Sequence, residues 1–370
     1  MNLEFNDEQL ALRDTVRRFL VEKATIAGHV RPLLDDPTGV NLAAWHGLAG
    51  LGTTGLLVPQ DYGGAGMTMV EAGIVLEELG AALYPGPWLS TAVAATRALS
   101  RFGAGDNAAR LFTGIADGSM IATAGPLDLN RARPKAAVSS DATVLSGAIN
   151  LLPDAAAADV LLIVADDADG PALFAVETSS NGLVVTQQPG IDQTRKQFRV
   201  ILDDAPAQRL AAVAPDALTA LIDDVLVAAA ADALGAARAV MDSAIEYAKV
   251  RKQFGQPIGA FQAVQHLCVD MYETVELARG GVMYALWAAD RAGSHERHVS
   301  ALRAKAFAGR LASVGDVAIQ VFGGIGYTWE HHAHLYLKRL LGWHSFLGGP
   351  DRYLEQVGAQ LVRRSARSNQ

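Results

Sequence analysis

The stretch "VRKQFGQPIGAFQ", Val250–Gln262, gathers Arg251, Lys252, three glutamines and two phenylalanines around a Gly-Gln-Pro turn, in a chain of net charge −8. A guanidinium offers a planar fork of donors that suits an oxygen-rich anion such as a pyrophosphate. Read locally, Arg251 has an equally ordinary use as a cation closing a helix and answering the dipole at its C-terminus. The residues alone leave both open.

Other clusters invite chemistry less firmly. "WEHHAHLY", Trp329–Tyr336, holds three histidines. His331, His332 and His334 point to different sides of a helix and no Glu-x-x-His pair accompanies them, so a surface or subunit contact is favoured over a metal. "YGGAGM" and "GGIGY" are glycine-rich, yet neither follows a strand and opens a helix as a dinucleotide fingerprint must. No serine sits in a nucleophile elbow. The single cysteine, Cys268, excludes an internal disulfide, fits a reducing compartment, and lies among helical apolar residues as a core thiol.

These residues need elements to position them. Asn6 or Asp7 caps a helix with Leu12, Val16, Phe19 and Leu20 at helical spacing. The loop Val58–Thr68 and a second amphipathic run through Ile74, Val75, Leu76 and Leu79 follow. Pro85 and Pro87 interrupt before a further helical stretch to about Phe102. From about Gly118 to Leu210, "ATVLSGAI", "ADVLLIVA", "ALFAVE", "GLVVT" and "QFRVIL" read as strands of a small antiparallel sheet. After Pro215 long helices return: one over Leu221–Arg251, then one with Phe261, Val264, Cys268, Met271, Val275, Ala278 and Val282 as a packed seam. Another runs from about Arg297 to Phe322 and stops at Gly323–Gly324. Shorter ones span about His331–Leu341 and Asp351–Arg363. The layout is α+β with segregated parts: helical over 1–117, antiparallel β over 118–212, and a four-helix bundle over 213–370.

Composition sets the outer limits. Half the residues are apolar and 19% charged, which describes a globular chain. The acidic balance argues against a nucleic-acid partner. "MNLEFNDEQL" shows no signal-peptide pattern and no run suits a membrane span, so a cytoplasmic protein is expected.

"YAKVRKQFGQPIGAFQAVQHLCVDM" and "QVFGGIGYTWEHHAHLYLKR" closely resemble the acyl-CoA dehydrogenase family of flavoenzymes, and Gly55–Gly80 resembles its N-terminal helical domain. The match spans nearly the whole chain in the same order. It implies FAD as cofactor, a tetramer built from two dimers, and removal of a proton from Cα of an acyl-CoA while a hydride leaves Cβ. In the family, the segment matching Arg251, Gln253, Phe254, Ile258 and Gln262 grips the pyrophosphate and adenosine of the neighbouring subunit's FAD. The segment matching Gln320, Gly323 and Gly324 assists.

Two family features are missing. The ring-binding strands usually carry Thr-Glu-Pro, Gly-Ser-Asp and Trp-Ile-Thr; here they read "IATAGPLDLNRARPKAA" and "LSGAINLLPDAAAADV", with aliphatic groups in place of hydroxyls. The usual glutamate base near the C-terminus falls on Leu347, in "SFLGGPD". Another branch places its base in the first long bundle helix, where Val225 stands; a one-residue slip would let Asp224 serve. Otherwise Asp223 and Asp224 are a solvated first-turn pair.

The resemblance therefore implies a flavin-supporting, non-catalytic subunit, as in the α2β2 heterotetramers of actinobacterial steroid side-chain degradation. The partner would be a second family chain that keeps the base, the substrate an acyl-CoA, and the acceptor an electron-transfer flavoprotein or similar carrier. Two alternatives stay open: a homotetrameric dehydrogenase using Asp224 as base, and a flavin-free scaffold subunit.

Overall fold

The first helix begins where a reciprocal cap fixes it. The Asn6 side chain accepts from the Gln9 N–H at 2.9 Å, and the Gln9 side chain accepts from the Asn6 N–H at 3.1 Å. The computed structural model describes residues 4–128, 132–139 and 142–368, without the side chains of Asn107, Ser139 and 363–368. Within the stretch 121–137 singled out above, residues 129–131 lie outside the described residues. In chain order come α1 (Asp7–Lys23), α2 (Arg31–Leu33), α3 (Leu42–Gly50), α4 (Met69–Ala81), α5 (Thr96–Arg101) and α6 (Ala109–Ala116). The strands β1 (Ala122–Gly125), β2 (Lys135–Ser139), β3 (Ala142–Pro153), β4 (Val160–Asp167), β5 (Gly170–Glu177), β6 (Leu183–Gln188), β7 (Gln197–Pro206) and β8 (Gln208–Ala212) follow. Then come α7 (Pro215–Val250), the short strands β9 (Lys252–Gln253) and β10 (Gln256–Pro257), α8 (Gln262–Arg291), α9 (Ser294–Arg310), α10 (Ala312–Phe322), α11 (Ala333–Ser345) and α12 (Pro350–Ser368). The α+β layout is as expected. No described helix is long and apolar enough to cross a membrane.

The chain divides into two compact units. One comprises Ala27–Ala72 and Pro85–Val225 and contains the sheet, in strand order β6-β7-β3-β2-β4-β5-β8 with β1 beside β4. The sheet is not wholly antiparallel as expected: β1 pairs with β4 in parallel, and Lys135 of β2 meets Asp166 of β4 likewise. The chain passes through β2 and β3 between β1 and β4, and so long a connection permits parallel pairing. β1, "ATAG", is buried throughout and has no alternation to betray it. "YGGAGM" proves to be a self-folded turn: Gly66 N–H reaches Val58 O at 2.9 Å, and a Cβ on Gly64 would lie 2.1 Å from Val58 O.

The other unit comprises Met1–Ile26, Gly73–Tyr84 and Leu226–Gln370. Its helices α4 and α7 cross at backbone contact. A Cβ on Gly80 would sit 1.9 Å from Asp232 O, and one on Gly235 would sit 1.8 Å from Glu77 O. Beside that crossing Asp232 accepts from Arg339 Nε at 2.9 Å, Arg339 Nη2 at 3.1 Å and Trp343 Nε1 at 2.6 Å, all buried. The expected seam of α8 holds, with Met271, Val275, Ala278 and Val282 buried and its first members half-buried. The single helix expected over Arg297–Phe322 is two, α9 and α10, broken at Leu311. There the Leu311 N–H turns to Ala308 O at 3.1 Å, and a Cβ on Gly309 would come within 3.0 Å of Pro350.

Lys305 is buried in α9, 2% exposed, and its ammonium donates to the terminal carbonyls of α11: Trp343 O, and His344 O at 3.3 Å. The Tyr353 ring lies 5.8 Å away, and among the described residues no carboxylate is within ion-pair reach. Burial pushes this group down to about 7.

Two outcomes are expected. In Gly235→Ala the added methyl meets a carbonyl that belongs to a helix and cannot step aside; urea unfolding should show a loss of about 3 kcal/mol or more, and an unchanged midpoint would contradict the crossing. For Lys305 the unfolded chain, with an ordinary pKa, holds more protons than the folded one between about pH 7 and 10. Stability from this group therefore rises with pH across that window, by at most about 1.4 kcal/mol per unit. Lys305→Met should flatten the rise of the urea midpoint with pH, and parallel curves for the two proteins would contradict the assignment.

Candidate functional site

Helix α7 ends at Val250, and the chain then folds into a two-stranded hairpin, β9 against β10, with Phe254 and Gly255 at its tip. Both tip residues have positive φ, +53° and +84°, as a two-residue hairpin loop of this kind requires. Gly255 takes that backbone readily, whereas phenylalanine rarely does. Phe254 is 91% exposed, with its ring edge-on to that of Phe261, ring centroids 6.2 Å apart. An aromatic ring held in a strained backbone and left in solvent contributes little to its own fold.

The donors around it are equally outward. Arg251, Gln253, Gln262 and Gln320 are exposed and Ile258 is half-buried. The Arg251 backbone is anchored, its N–H to Tyr247 O at 2.9 Å and its carbonyl to the Ile258 N–H at 2.8 Å. Its guanidinium has no hydrogen-bond or ion-pair partner among the described residues. Gln253 Nε2 reaches Lys252 O at 2.9 Å, and Gln265, not singled out from the sequence, braces the turn through Gly259 O at 2.9 Å.

A ring contact brings the second group of residues to the same end of this unit. Tyr247, one turn before Arg251, meets Phe322, the last residue of α10, at 5.1 Å. The Phe322 ring in turn meets His331 at a tilt, centroids 4.3 Å apart, and burial lowers the pKa of that histidine. Gly323 (φ +65°) and Gly324 follow, exposed, and a Cβ on either would meet nothing within 4 Å. Their openness leaves the backbone accessible from outside, as a close-approaching ligand requires. Among the described residues no group of three or more His, Cys, Asp or Glu could hold a metal ion. The histidine cluster packs instead, with Trp329 edge-on to His334 at 4.8 Å and Lys338 4.8 Å above Trp329.

The position expected for a base is aliphatic. Leu347 is half-buried with φ +55°, and its carbonyl accepts from Tyr353 Oη at 2.8 Å and Arg352 Nη1 at 3.4 Å. The turn is thus pinned from α12 on one side, while Lys305 holds the end of α11 on the other. A leucine there has no lone pair to take a proton.

Asp223 and Asp224 correct a further expectation. They are not a solvated first-turn pair: α7 begins at Pro215, more than two turns earlier, and both are buried, 1% and 0% exposed. Arg101 grips Asp224 with both arms of its fork, at 2.9 and 3.0 Å, and Arg97 lies 3.7 Å away. Sequence spacing carried no sign of this, because Arg97 and Arg101 come from a helix more than a hundred residues earlier.

In the sheet, "INLLPDA" forms an irregular end to β3. Leu151 forms a bulge at φ +58°, between the pairs Ile149–Val200 and Leu152–Phe198, with its N–H bound to Gln188 at 2.7 Å. Leu152 is buried against the end of β1, where a Cβ on Gly125 would meet it at 2.6 Å. Thr123, on the same strand face as Gly125, buries a hydroxyl without a partner. Asp154, at φ +55° and buried, accepts from Ser90 and lies 3.7 Å from Arg195. Pro153 has neither hydroxyl nor N–H to offer.

Comparison with known proteins identifies the family. Residues 6–119 match the family model for the acyl-CoA dehydrogenase N-terminal domain, and residues 225–361 that for the C-terminal domain. Acyl-CoA dehydrogenase FadE34 of Mycobacterium tuberculosis is 36% identical over 95% of this chain, which spans only 48% of that protein's own length. Acyl-CoA dehydrogenase IpdE2 of Mycolicibacterium smegmatis is 33% identical over 96% of this chain and 99% of its own. Among solved structures, a variant of the Tcur3481–Tcur3483 steroid ACAD is 29% identical, with a TM-score of 0.87 over 97% of this chain and 99% of that one. The ChsE4–ChsE5 complex from Mycobacterium tuberculosis is 25% identical, with a TM-score of 0.89 over 98% and 99%. The chain belongs to the acyl-CoA dehydrogenase family.

Proposed function

We propose that this chain is a flavin-supporting, non-catalytic subunit of a heteromeric, FAD-dependent acyl-CoA dehydrogenase. The observation that carries the reading is a division in the chain's own residues. The Arg251 guanidinium faces outward without a hydrogen-bond or ion-pair partner among the described residues, while the two positions expected for a base hold Leu347 and the arginine-paired Asp224.

The nucleotide half of FAD fits what the first group offers. Arg251 would fork onto phosphate oxygens, Gln253, Gln262 and Gln320 would add amide donors, and Gly323 and Gly324 would let the backbone close on the nucleotide. Phe254 and Ile258 would supply apolar contact. The flavin ring does not fit the second group: Leu151, Leu152 and Pro153 bring no donor to it. When bound, FAD accepts a hydride from Cβ of an acyl-CoA. Neither position expected for a base removes the matching Cα proton, since Leu347 cannot and the Asp224 carboxylate is held between Arg101 and Arg97. Protonating that carboxylate would break a buried charge-assisted pair, a poor arrangement for a general base. The base and the ring pocket therefore belong to a second family chain, and two solved relatives, Tcur3481–Tcur3483 and ChsE4–ChsE5, carry paired names of that kind. The substrate is an acyl-CoA thioester, with a steroid side chain as the acyl group. An electron-transfer flavoprotein or similar carrier takes the electrons.

Arg251→Lys keeps the charge and loses the fork. A charge-assisted contact contributes roughly 1.5–3 kcal/mol, so the heteromer's affinity for FAD should fall about ten- to a hundredfold. Flavin retained through dialysis tests this, and undiminished occupancy would count against Arg251 as the phosphate ligand.

A further inference from the structure

His331 stands just before α11 and makes three contacts at once. Its ring meets that of Phe322, the last residue of α10, with centroids 4.3 Å apart. Its backbone N–H reaches Thr328 O at 3.3 Å, and the Thr328 N–H in turn reaches Ile325 O at 3.1 Å. Its Nδ1 accepts from the Ala333 N–H at 3.1 Å. The turn Gly323–Tyr327 lies between the first two contacts, so one histidine holds both of its ends. Phe322 packs on Tyr247 as well, one turn before Arg251.

The third contact carries a chemical condition. A backbone amide can only donate, so Nδ1 must offer its lone pair and the proton of the neutral ring sits on Nε2. Ala333 opens α11, and its N–H is one of the four that a helix leaves without an internal acceptor. Ala333 is 2% exposed, so water is poorly placed to replace Nδ1. A second proton on the ring would set N–H against N–H and bring positive charge to a helix N-terminus, where the dipole opposes it. An imidazolium beside Phe322 would gain from the ring, but that contact is tilted by 52° and leaves the buried amide without an acceptor. The titratable neighbours are Glu330 and His332 on the same segment and, behind Phe322, Tyr247 of α7. Glu330 would favour the charged ring, yet burial prevails and lowers the pKa of His331 from the ordinary 6.5.

We infer that His331 is a positioning residue for the flavin nucleotide: in its neutral form it holds the turn Gly323–Tyr327 between α10 and α11, and its protonation releases that turn together with the backbone of Gly323 and Gly324. The inference rests on the flavin-supporting reading above for what the turn grips, and deepens it by making the grip depend on pH. The folded chain takes up this proton less readily than the opened one. The contact is therefore complete above about pH 6.5 and is lost as pH falls through the lower, folded value.

Hydrogen exchange of the purified full-length chain tests the contact without flavin. Amides of residues 323–335 are compared at about pH 8 and about pH 5.5, with labelling times scaled for the intrinsic pH dependence of exchange. Wild-type protection should fall severalfold at the lower pH, with a ceiling of about tenfold one unit below 6.5. His331→Asn puts an amide oxygen in place of Nδ1 and cannot titrate, so its protection should be equal at both pH values. His331→Phe loses the acceptor and should be poorly protected at both. Wild-type protection that ignores pH would overturn the inference, and so would a His331→Asn chain that follows the wild type. In the heteromer co-purified with a base-bearing family partner, FAD retained through dialysis should fall between the same pH values for wild type and hold for His331→Asn. An equal fall in both would overturn the link from His331 to the nucleotide. Failure of the proposed function shows instead in Arg251→Lys, which leaves the amide protection of 323–335 unchanged, so the two readings fail separately.

Discussion

A single buried guanidinium organises the helical unit. Arg339 is fully enclosed, forked onto Asp232 of α7 and donating to Tyr84 O at 2.9 Å, so α11, α7 and the chain leaving α4 share one charge-paired junction. An ion pair so placed adds little net stability over a hydrophobic substitute, but losing one partner strands a charge and costs about 3–5 kcal/mol. The junction therefore specifies more than it stabilises. With Asp232 O set against Gly80 and Glu77 O against Gly235, α7 has one position along α4. With α7 placed, the Tyr247–Phe322 contact brings its last turn to the end of α10. The exposed hairpin and the open glycines converge because rigid helices deliver them there.

The same economy separates outward from inward residues. Three buried charged groups are matched: Asp224 by Arg101, Asp154 by Ser90, Lys305 by the carbonyls ending α11. Matched groups hold a fold and are poorly placed to exchange protons with a ligand. Among the outward groups the Arg251 guanidinium has no hydrogen-bond or ion-pair partner among the described residues, and Phe254 sits in a backbone conformation that costs energy. A chain keeps such features when something outside completes them.

Much of this was legible in the sequence. A long run without proline marked α7, helical spacing marked α8, β-prone runs marked β3 through β7, and the motif from Arg251 to Gln262 stood out against an acidic background. What escaped was partly non-local. β1 is too short and too evenly buried to show a period, and the close approach of Pro350 to Gly309, beside the break at Leu311, comes from some forty residues on. The burial of Asp223 and Asp224 could not be read from their neighbours, because the cations that neutralise Asp224 lie in α5.

The flavin content of the assembled protein bears most directly on the central claim. Under the proposed function, each composite site would take its nucleotide grip from one chain and its ring pocket from the other, with this chain supplying only the grip. Co-purified with a base-bearing family partner, it should show one FAD per pair of chains by flavin absorbance against protein mass. Purified alone it should be colourless. Two FAD per pair, or a yellow homomer bleached by an acyl-CoA, would contradict the account.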